Sequence, residues 1–366
     1  MKIIQMLTTM SYGDAVGNDV LALRKAILKM GYATGIYAEN IDARISPEYA
    51  ENIGSIPVLD AEDVILYHLS TGTRLNYSLE NYMGRKIIVY HNITPPEFFH
   101  GYNRNVFELC LDGLRGMSYL SEQAEYCLAD SAFNKEQLLH AGYTCDIDVL
   151  PILIPFQDYE KEPDKKVIKA YEKDDCVNLL FAGRIAPNKR QEDIIRIFYH
   201  YQNRYNKKSR LFLVGSYEGM ERYYQRLKDY VNRLQLEQVY FTGHVSFEEI
   251  LAYYNIADAF LCMSEHEGFC VPLVEAMYFK IPILAYDSSA ISDTLGGSGF
   301  LTDTKDPLIN AGILNRILED SALRELILKK EVERLHDFRS ETVEQTFRSY
   351  MNVFLNEKRE KIDRLL

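Results

Sequence analysis

Two glutamates eight positions apart, Glu267 and Glu275 in the run SEHEGFCVPLVEAM, bracket a glycine, an aromatic and a proline. Proline suits a first helical position, where its missing N–H is not needed. The run therefore reads as a turn followed by a helix starting at Pro272. In that turn the Glu267 carboxylate can accept two hydrogen bonds from vicinal sugar hydroxyls, and Gly268 lets backbone approach a ligand closely. One turn into the helix, Glu275 can accept both hydroxyls of a ribose. Backbone N–H groups near Val271 and residues 273–274 favour an anion such as a phosphate. Glu275 alone has a plainer explanation, since an acid in a first helical turn gains about 0.3–1 kcal/mol from the helix dipole. That leaves Glu267 and its Gly-aromatic turn unexplained.

A second group is FAGRIAPNKR, with Gly183, Arg184 and Lys189. Two cations after a strand suit a diphosphate, Arg184 as a planar fork of donors and Lys189 as a point charge. An isolated pair of this kind can equally be a solvated basic loop. His91 ends the run KIIVYH beside Asn92 and Thr94. There it reads either as a satisfied rim residue or as a group that orients or polarises a ligand, rather than as a lone general base. Asp146-Ile147-Asp148 has the D-x-D spacing by which carboxylates can hold a divalent cation. It precedes its strand, away from the expected ligand edge, and reads as a surface coincidence. Gly13 and Gly17 are spaced G-x3-G, not G-x-G-x-x-G, which argues against a dinucleotide cofactor. The six cysteines (110, 127, 145, 176, 262, 270) show no C-x-x-C pair and no His/Cys cluster at zinc spacing. Cys270 reads as a packing residue rather than a nucleophile, and no Ser-His-Asp arrangement is evident.

The elements that must position these residues alternate. Apolar runs at 2–7, 34–39, 63–69, 86–91, 125–131 and 147–153 read as strands of one parallel sheet covered on both faces. A polar stretch from Pro155 to Asp175 follows, then a second series at 177–183, 210–215, 238–243, 259–264, 281–286 and 299–302. Helical periodicity fills the gaps, for example from about Asn18 to Gly31, over 133–143 and over 223–236. Two β/α series joined by a polar linker predict an α/β protein of two Rossmann-like β/α/β domains, residues 1–158 and 159–344, facing across a cleft. A final helix at about 345–366 is expected to pack back on the first domain. Ligands of such sheets bind beyond the carboxyl ends of the strands, which is where the residues above lie.

The 366 residues suffice for two cores, and the net charge of −12 is uneven. Residues 1–158 hold 11 basic against 20 acidic side chains, and the remainder 30 against 33. No basic stripe speaks for nucleic acid, and the acidic first half argues against strong docking on anionic lipid. No apolar run of about 18 residues predicts a membrane span. The N-terminus has no signal-like apolar region. A cytoplasmic protein is expected, with at most peripheral contact at the inner face of a membrane.

The order of these motifs resembles family 4 glycosyltransferases, retaining enzymes with the GT-B fold. EGFCVPLVE is similar to that family's E-x7-E signature, and FAGRIAPNKR resembles its phosphate-clamp loop. LFLVGSYEG, VYFTGHVS, AYDSSAISDTLGGSGFL, YHNITPPEFF and LADSAFNKEQLLHAGY resemble further segments in the same order. The resemblance implies that Arg184 and Lys189 hold the donor diphosphate, that Glu267 contacts the transferred sugar with Gly268 and Phe269 beside it, and that Glu275 binds the ribose. It implies base reading by Gly243, His244 and Val245, phosphate contact near Gly17, and a place for His91 near sugar and acceptor. Gly183, Gly215, Cys270 and Val271 complete the implied donor-binding set. Departures are the single glycine before the first helix and Asp293 where a glutamate is common.

The expectation is a retaining, metal-independent sugar transfer from a nucleoside diphosphate, UDP or GDP, to a hydroxyl acceptor such as a lipid-linked saccharide, in bacterial polysaccharide assembly. No cofactor is called for beyond the donor substrate. A sugar-nucleotide 2-epimerase and a non-catalytic nucleotide-sugar-binding partner subunit share the layout. A phosphorylase-type enzyme would need a pyridoxal lysine, for which no motif is present.

Overall fold

A computed structural model describes residues 1–11, 13–172 and 174–363, with side chains as far as Asn356. Among these residues two parallel sheets form, each within its own compact unit.

The first sheet comprises β1 (Ile3–Met10), β2 (Ile36–Ile41), β3 (Glu51–Asn52), β4 (Val64–Leu69), β5 (Arg85–Tyr90), β6 (Tyr126–Ala129) and β7 (Asp146–Val149), in the order β3-β2-β1-β4-β5-β6-β7. Strand side chains alternate between faces, and here both faces are buried. Ile3, Val64, Leu66, Ile87, Val89 and Leu128 pack with Leu23 and Ile27 of the helix Ala15–Lys29. The same cluster takes Val343, Phe347, Met351 and Phe354 from the helix Ser340–Asp363. Ile4, Met6, Ile65, Tyr67, Ile88, Tyr90 and Cys127 form the opposite face. Double burial explains why the strands read as nearly unbroken apolar runs. Arg85 fastens the last helix, donating to the Phe354 carbonyl at 3.0 Å with its guanidinium 3.6 Å over the Phe354 ring.

The second sheet comprises β8 (Val177–Ala182), β9 (Ser209–Val214), β10 (Val239–Gly243), β11 (Ala259–Cys262), β12 (Ile283–Tyr286) and β13 (Phe300–Thr302), in the order β10-β9-β8-β11-β12-β13. The order reverses between β8 and β11, the position at which open α/β sheets leave a crevice beyond their strand ends. In the first sheet the reversal falls between β1 and β4.

The units group as residues 1–96, 108–156 and 337–366, and as 97–107 with 157–336. Residues 97–107 thus cluster with the second unit, although they lie inside the expected first domain. The reason is local: Asn103 donates to the Gly219 carbonyl at 2.7 Å, Tyr102 packs edge-on against Tyr223 at 5.3 Å, and Arg226 reaches the Tyr102 hydroxyl. The last helix begins at Ser340, before the expected 345, and residues 364–366 of that expectation lie outside the described residues.

Other differences are small and physical. β3 was not expected; it is a polar two-residue edge strand. The first helix starts at Ala15 rather than near Asn18, because Asp14 caps it by accepting from the Gly17 N–H at 2.6 Å. Gly17 therefore lies in a first helical turn, not in an open glycine loop. Asp146 and Asp148 lie within β7 rather than before it, and Asp148 accepts from the Tyr126 hydroxyl at 2.5 Å. Pro272 occupies the second helical position, since Cys270 is the N-cap of Val271–Tyr278.

Candidate active site

In the second unit, the loops leaving β8 and β11 meet at the reversal of strand order. Asn188 ties them: its side chain donates to the His266 carbonyl at 3.0 Å and its own carbonyl accepts from the Glu265 N–H at 2.8 Å. On this frame Lys189 Nζ meets Glu267 Oε2 at 2.5 Å. Glu267 is only 7% exposed, and its backbone N–H donates to Ser289 Oγ at 2.8 Å. Burial works against the Lys189 charge. The attraction of Glu267 and Cys270 outweighs it and raises the pKa, so Lys189 stays an ammonium. His266, beside Glu267, is pushed down to about 4, chiefly by burial and further by Lys189, with Glu267 opposing; it is neutral at pH 7.

Cys270 sits at φ 74° as N-cap of Val271–Tyr278, and its side chain makes no capping hydrogen bond to the first turn. Uncapped N–H groups at a helix start, beside an ammonium, attract an anion. Phe269 is buried and its carbonyl accepts from Thr294, which fixes the turn through Gly268. Within the helix, Glu275 accepts from Tyr159 at 2.9 Å and Tyr254 at 2.6 Å. Burial raises its pKa while the two phenols oppose the rise. Each of its oxygens thus has a protein donor and keeps one further lone pair.

Arg184 is exposed and donates to the Glu218 carbonyl at 2.9 Å, so the structure places it on the side of the β9 loop rather than on Glu267. Gly183 and Gly215 directly follow β8 and β9, and Gly243 ends β10. Gly215 has φ 148°, and a Cβ there would lie 2.1 Å from the Gly183 carbonyl oxygen, so only glycine permits the two turns to stack. After Gly243, His244 is exposed and Val245 half-buried.

His91 and Gly17 belong to the first unit. The Gly17 amide is occupied by Asp14. The His91 side chain is 1% exposed with both nitrogens engaged, Nδ1 with Asp130 Oδ2 at 3.0 Å and Nε2 with His68 Nδ1 at 2.8 Å. His68 Nε2 in turn faces Gln5 Oε1 at 3.0 Å, while Gln5 Nε2 donates to the Val20 carbonyl at 3.0 Å. That carbonyl can only accept, which fixes the chain. Gln5 offers its oxygen, so His68 carries its proton on Nε2 and accepts at Nδ1. His91 must then donate from Nε2, leaving Nδ1 to share a proton with Asp130. Burial disfavours the charged ring, but Asp130, Asp19 and Asp14 together raise the His91 pKa, so the imidazolium–carboxylate pair is favoured. Such a histidine holds a proton and does not serve as a free base. Burial lowers the His68 pKa well below the usual range, and His91 adds to it, which agrees with a neutral relay.

Sequence reasoning missed Asn188, His266, Tyr159, Tyr254, Gln5, His68 and Asp130. One signal for the relay was present. Ile3/Gln5, Leu66/His68 and Val89/His91 keep one alternation, so each polar residue follows an inward-facing apolar one on the same sheet face.

The twin Rossmann-like parallel-sheet units are those of the GT-B type of fold. Residues 160–333, a little under half of the chain, match the family described as Glycosyl transferases group 1. The chain is 25% identical over 274 residues to the capsular polysaccharide biosynthesis glycosyltransferase CapM of Staphylococcus aureus, covering 69% of this chain and 70% of that one. It is 23% identical to the O-antigen chain mannosyltransferase B of Escherichia coli over 75% and 72% of the two chains. Among solved structures, Anabaena HepE in complex with UDP and glucose superposes with a TM-score of 0.75 at 19% identity, over 96% of this chain and 100% of that one. Sucrose-phosphate synthase of Thermosynechococcus elongatus does so with a TM-score of 0.73 at 17% identity, over 97% and 99%. At these identities the structural likeness concerns the fold.

Proposed function

We propose that the protein transfers a sugar from a nucleoside diphosphate, UDP or GDP, to a hydroxyl acceptor with retention at the anomeric carbon, in bacterial glycan assembly. The observation that carries this is the Lys189–Glu267 pair at 2.5 Å beside the uncapped start of Val271–Tyr278. Lys189 and the helix amides hold the diphosphate as charge develops on it, with Arg184 joining when a donor draws it from the Glu218 carbonyl. Glu267 is released by Lys189 to grip sugar hydroxyls, and Glu275 uses its remaining lone pairs on the ribose. The donor C–O bond loosens first, giving an oxocarbenium-like centre. The departing oxygen then takes the acceptor's proton on the same face, so no covalent enzyme intermediate forms. The positive charge on the diphosphate comes from side chains and amides, so no metal is required. The capsular and O-antigen roles carried in the names of the two bacterial relatives support the glycan setting, and the UDP and glucose of the HepE complex support a nucleotide-sugar donor. A lipid-linked saccharide is the acceptor class this setting favours, and among the described residues no helix is long and apolar enough to cross a membrane.

The test is product analysis with UDP- and GDP-sugars, with and without an oligosaccharide or polyprenyl-linked acceptor. Acceptor-dependent release of UDP or GDP with an α-configured product from an α-linked donor is expected. Acceptor-independent epimerisation, or tight binding without turnover, would replace transfer by one of the two competing functions.

A further inference from the structure

The same loop that presents Glu267 also gathers two thiols. Cys262 ends β11, Cys270 caps the helix Val271–Tyr278, and Glu267 lies between them in the chain. One ligand atom from each, the two Sγ atoms and a carboxylate oxygen, lies within 4.8 Å of the others. All three residues are buried, at 1%, 9% and 7% exposure for Cys262, Cys270 and Glu267. The sequence hides this group, because its spacing matches no linear zinc motif. It arises where a strand end and a helix start converge.

We propose that Cys262, Cys270 and Glu267 form a binding site for a thiophilic divalent cation, with zinc as its representative, whose occupancy shuts the sugar-transfer site. The shut-off rests on the function proposed above; the binding itself does not.

Two thiolates and a carboxylate are an accepted donor set for zinc, with about 2.3 Å to sulfur and 2.0–2.2 Å to oxygen. Donors at those lengths around a tetrahedral ion sit about 3.3–3.8 Å apart, so the observed cluster needs only a slight contraction. Three protein ligands leave a fourth position for water, the pattern of an open rather than a closed site. Charge also balances. Two thiolates and Glu267 supply three negative charges, and the cation with Lys189 supplies three positive ones, as burial demands. Each thiol that ligates releases its proton to solvent, and no electron is transferred. Lys189 holds Glu267 through Oε2, which leaves the other carboxylate oxygen for the ion.

Occupancy would withdraw Glu267 from sugar hydroxyls and neutralise the environment in which Lys189 meets a diphosphate. Zinc and donor should therefore weaken each other's binding by the same factor, as linkage requires.

The experiment uses metal-free full-length protein kept reduced with a phosphine and titrated with Co²⁺, read by the thiolate-to-cobalt charge-transfer band, followed by Zn²⁺ competition. One equivalent of Co²⁺ should develop the band and Zn²⁺ should bleach it. Cys262→Ser should lose the band and weaken zinc binding by more than about 10²-fold, beyond the 10–100-fold typical of outer-shell losses. Cys270→Ser should do the same independently, while Cys127→Ser and Cys176→Ser keep the band. Circular dichroism melting checks that each variant is folded. Absence of a thiolate band in wild type, or an undiminished band in folded Cys262→Ser and Cys270→Ser, would overturn the site. In the transfer assay, zinc should inhibit wild type and spare Cys262→Ser. A cobalt band without any sugar transfer would sink the functional reading and leave the metal site standing; transfer without the band would do the reverse.

Discussion

Lys189 and Glu267 show how one contact serves two states. In the free protein each neutralises the other at 2.5 Å, which offsets the burial of Glu267 and the partial burial of Lys189. A donor would replace that pairing, diphosphate for Lys189 and hydroxyls for Glu267. Lys189→Ala should lower kcat by about 10²–10³-fold, the cost typical of one lost oxyanion donor, with the fold retained. Steady-state kinetics with the matched donor measures it. The first unit's histidines lead to a second residue-scale expectation. Asp130→Asn removes the acceptor that keeps the His91 proton in place, and the amide can donate to Nδ1 instead. The His91 pKa should fall, followed by nitrogen chemical shifts across a pH titration; an unchanged His91 titration would break the relay assignment. Glu275 depends on its phenols. Tyr254→Phe leaves a partly buried carboxylate one donor short and should cost about 1–3 kcal/mol, read as a lower urea midpoint.

At the scale of elements, strands were legible because double burial writes itself as unbroken apolar runs. Twelve of the thirteen described strands coincide with such runs. The missing one, Glu51–Asn52, has neither apolar content nor alternation to show. The turn after β11 could be read because glycine, proline and two acids lie close together in the chain. The His68–His91–Asp130 relay and the Cys262–Glu267–Cys270 group could not, since register and strand ends create them. Gly17 was misread because a glycine near a strand end suggests a loop, whereas Asp14 three residues earlier caps a helix. The helix Ser321–Leu335 adds a pH-sensitive prop. Glu331 is fully buried, and its Oε1 accepts from the Ile283 N–H at 3.0 Å under β12. Burial pushes its pKa up to about 8, with that one hydrogen bond opposing. The folded pKa lies above the unfolded 4.5, so the native state binds the extra proton between about pH 4.5 and 8. Stability should therefore fall as pH rises through that window. Glu331→Gln should flatten this part of the profile in chemical-denaturation series; an identical slope in the variant would remove Glu331 from the cause.

At the scale of the molecule, the chain leaves the first unit, builds the second and returns. The closing helix supplies Val343, Phe347, Met351 and Phe354 to the first unit's core, and Arg85 and Lys29 bind it through Phe354 and Glu344. Phe347 is fully buried, so Phe347→Ala should destabilise the first unit by about 3–5 kcal/mol. Hydrogen exchange would show the loss concentrated in β1, β4 and β5. Even protection loss over both units would mean that the helix stabilises the molecule as one cooperative block. Two parallel sheets of this kind were visible in the alternation of the sequence, while the grouping of residues 97–107 with the second unit was not. It depends on Tyr102 and Asn103 meeting partners more than a hundred residues away.

The central claim is that Lys189, paired with Glu267 beside a helix start, is there to receive a diphosphate. Isothermal calorimetry of wild-type and Lys189→Ala protein with UDP, GDP and ADP, and with the corresponding monophosphates, tests it most directly. Wild type should bind one diphosphate clearly more tightly than its monophosphate, and Lys189→Ala should lose that difference. Equal binding of the diphosphate by both proteins, or no preference over the monophosphate in wild type, would contradict it.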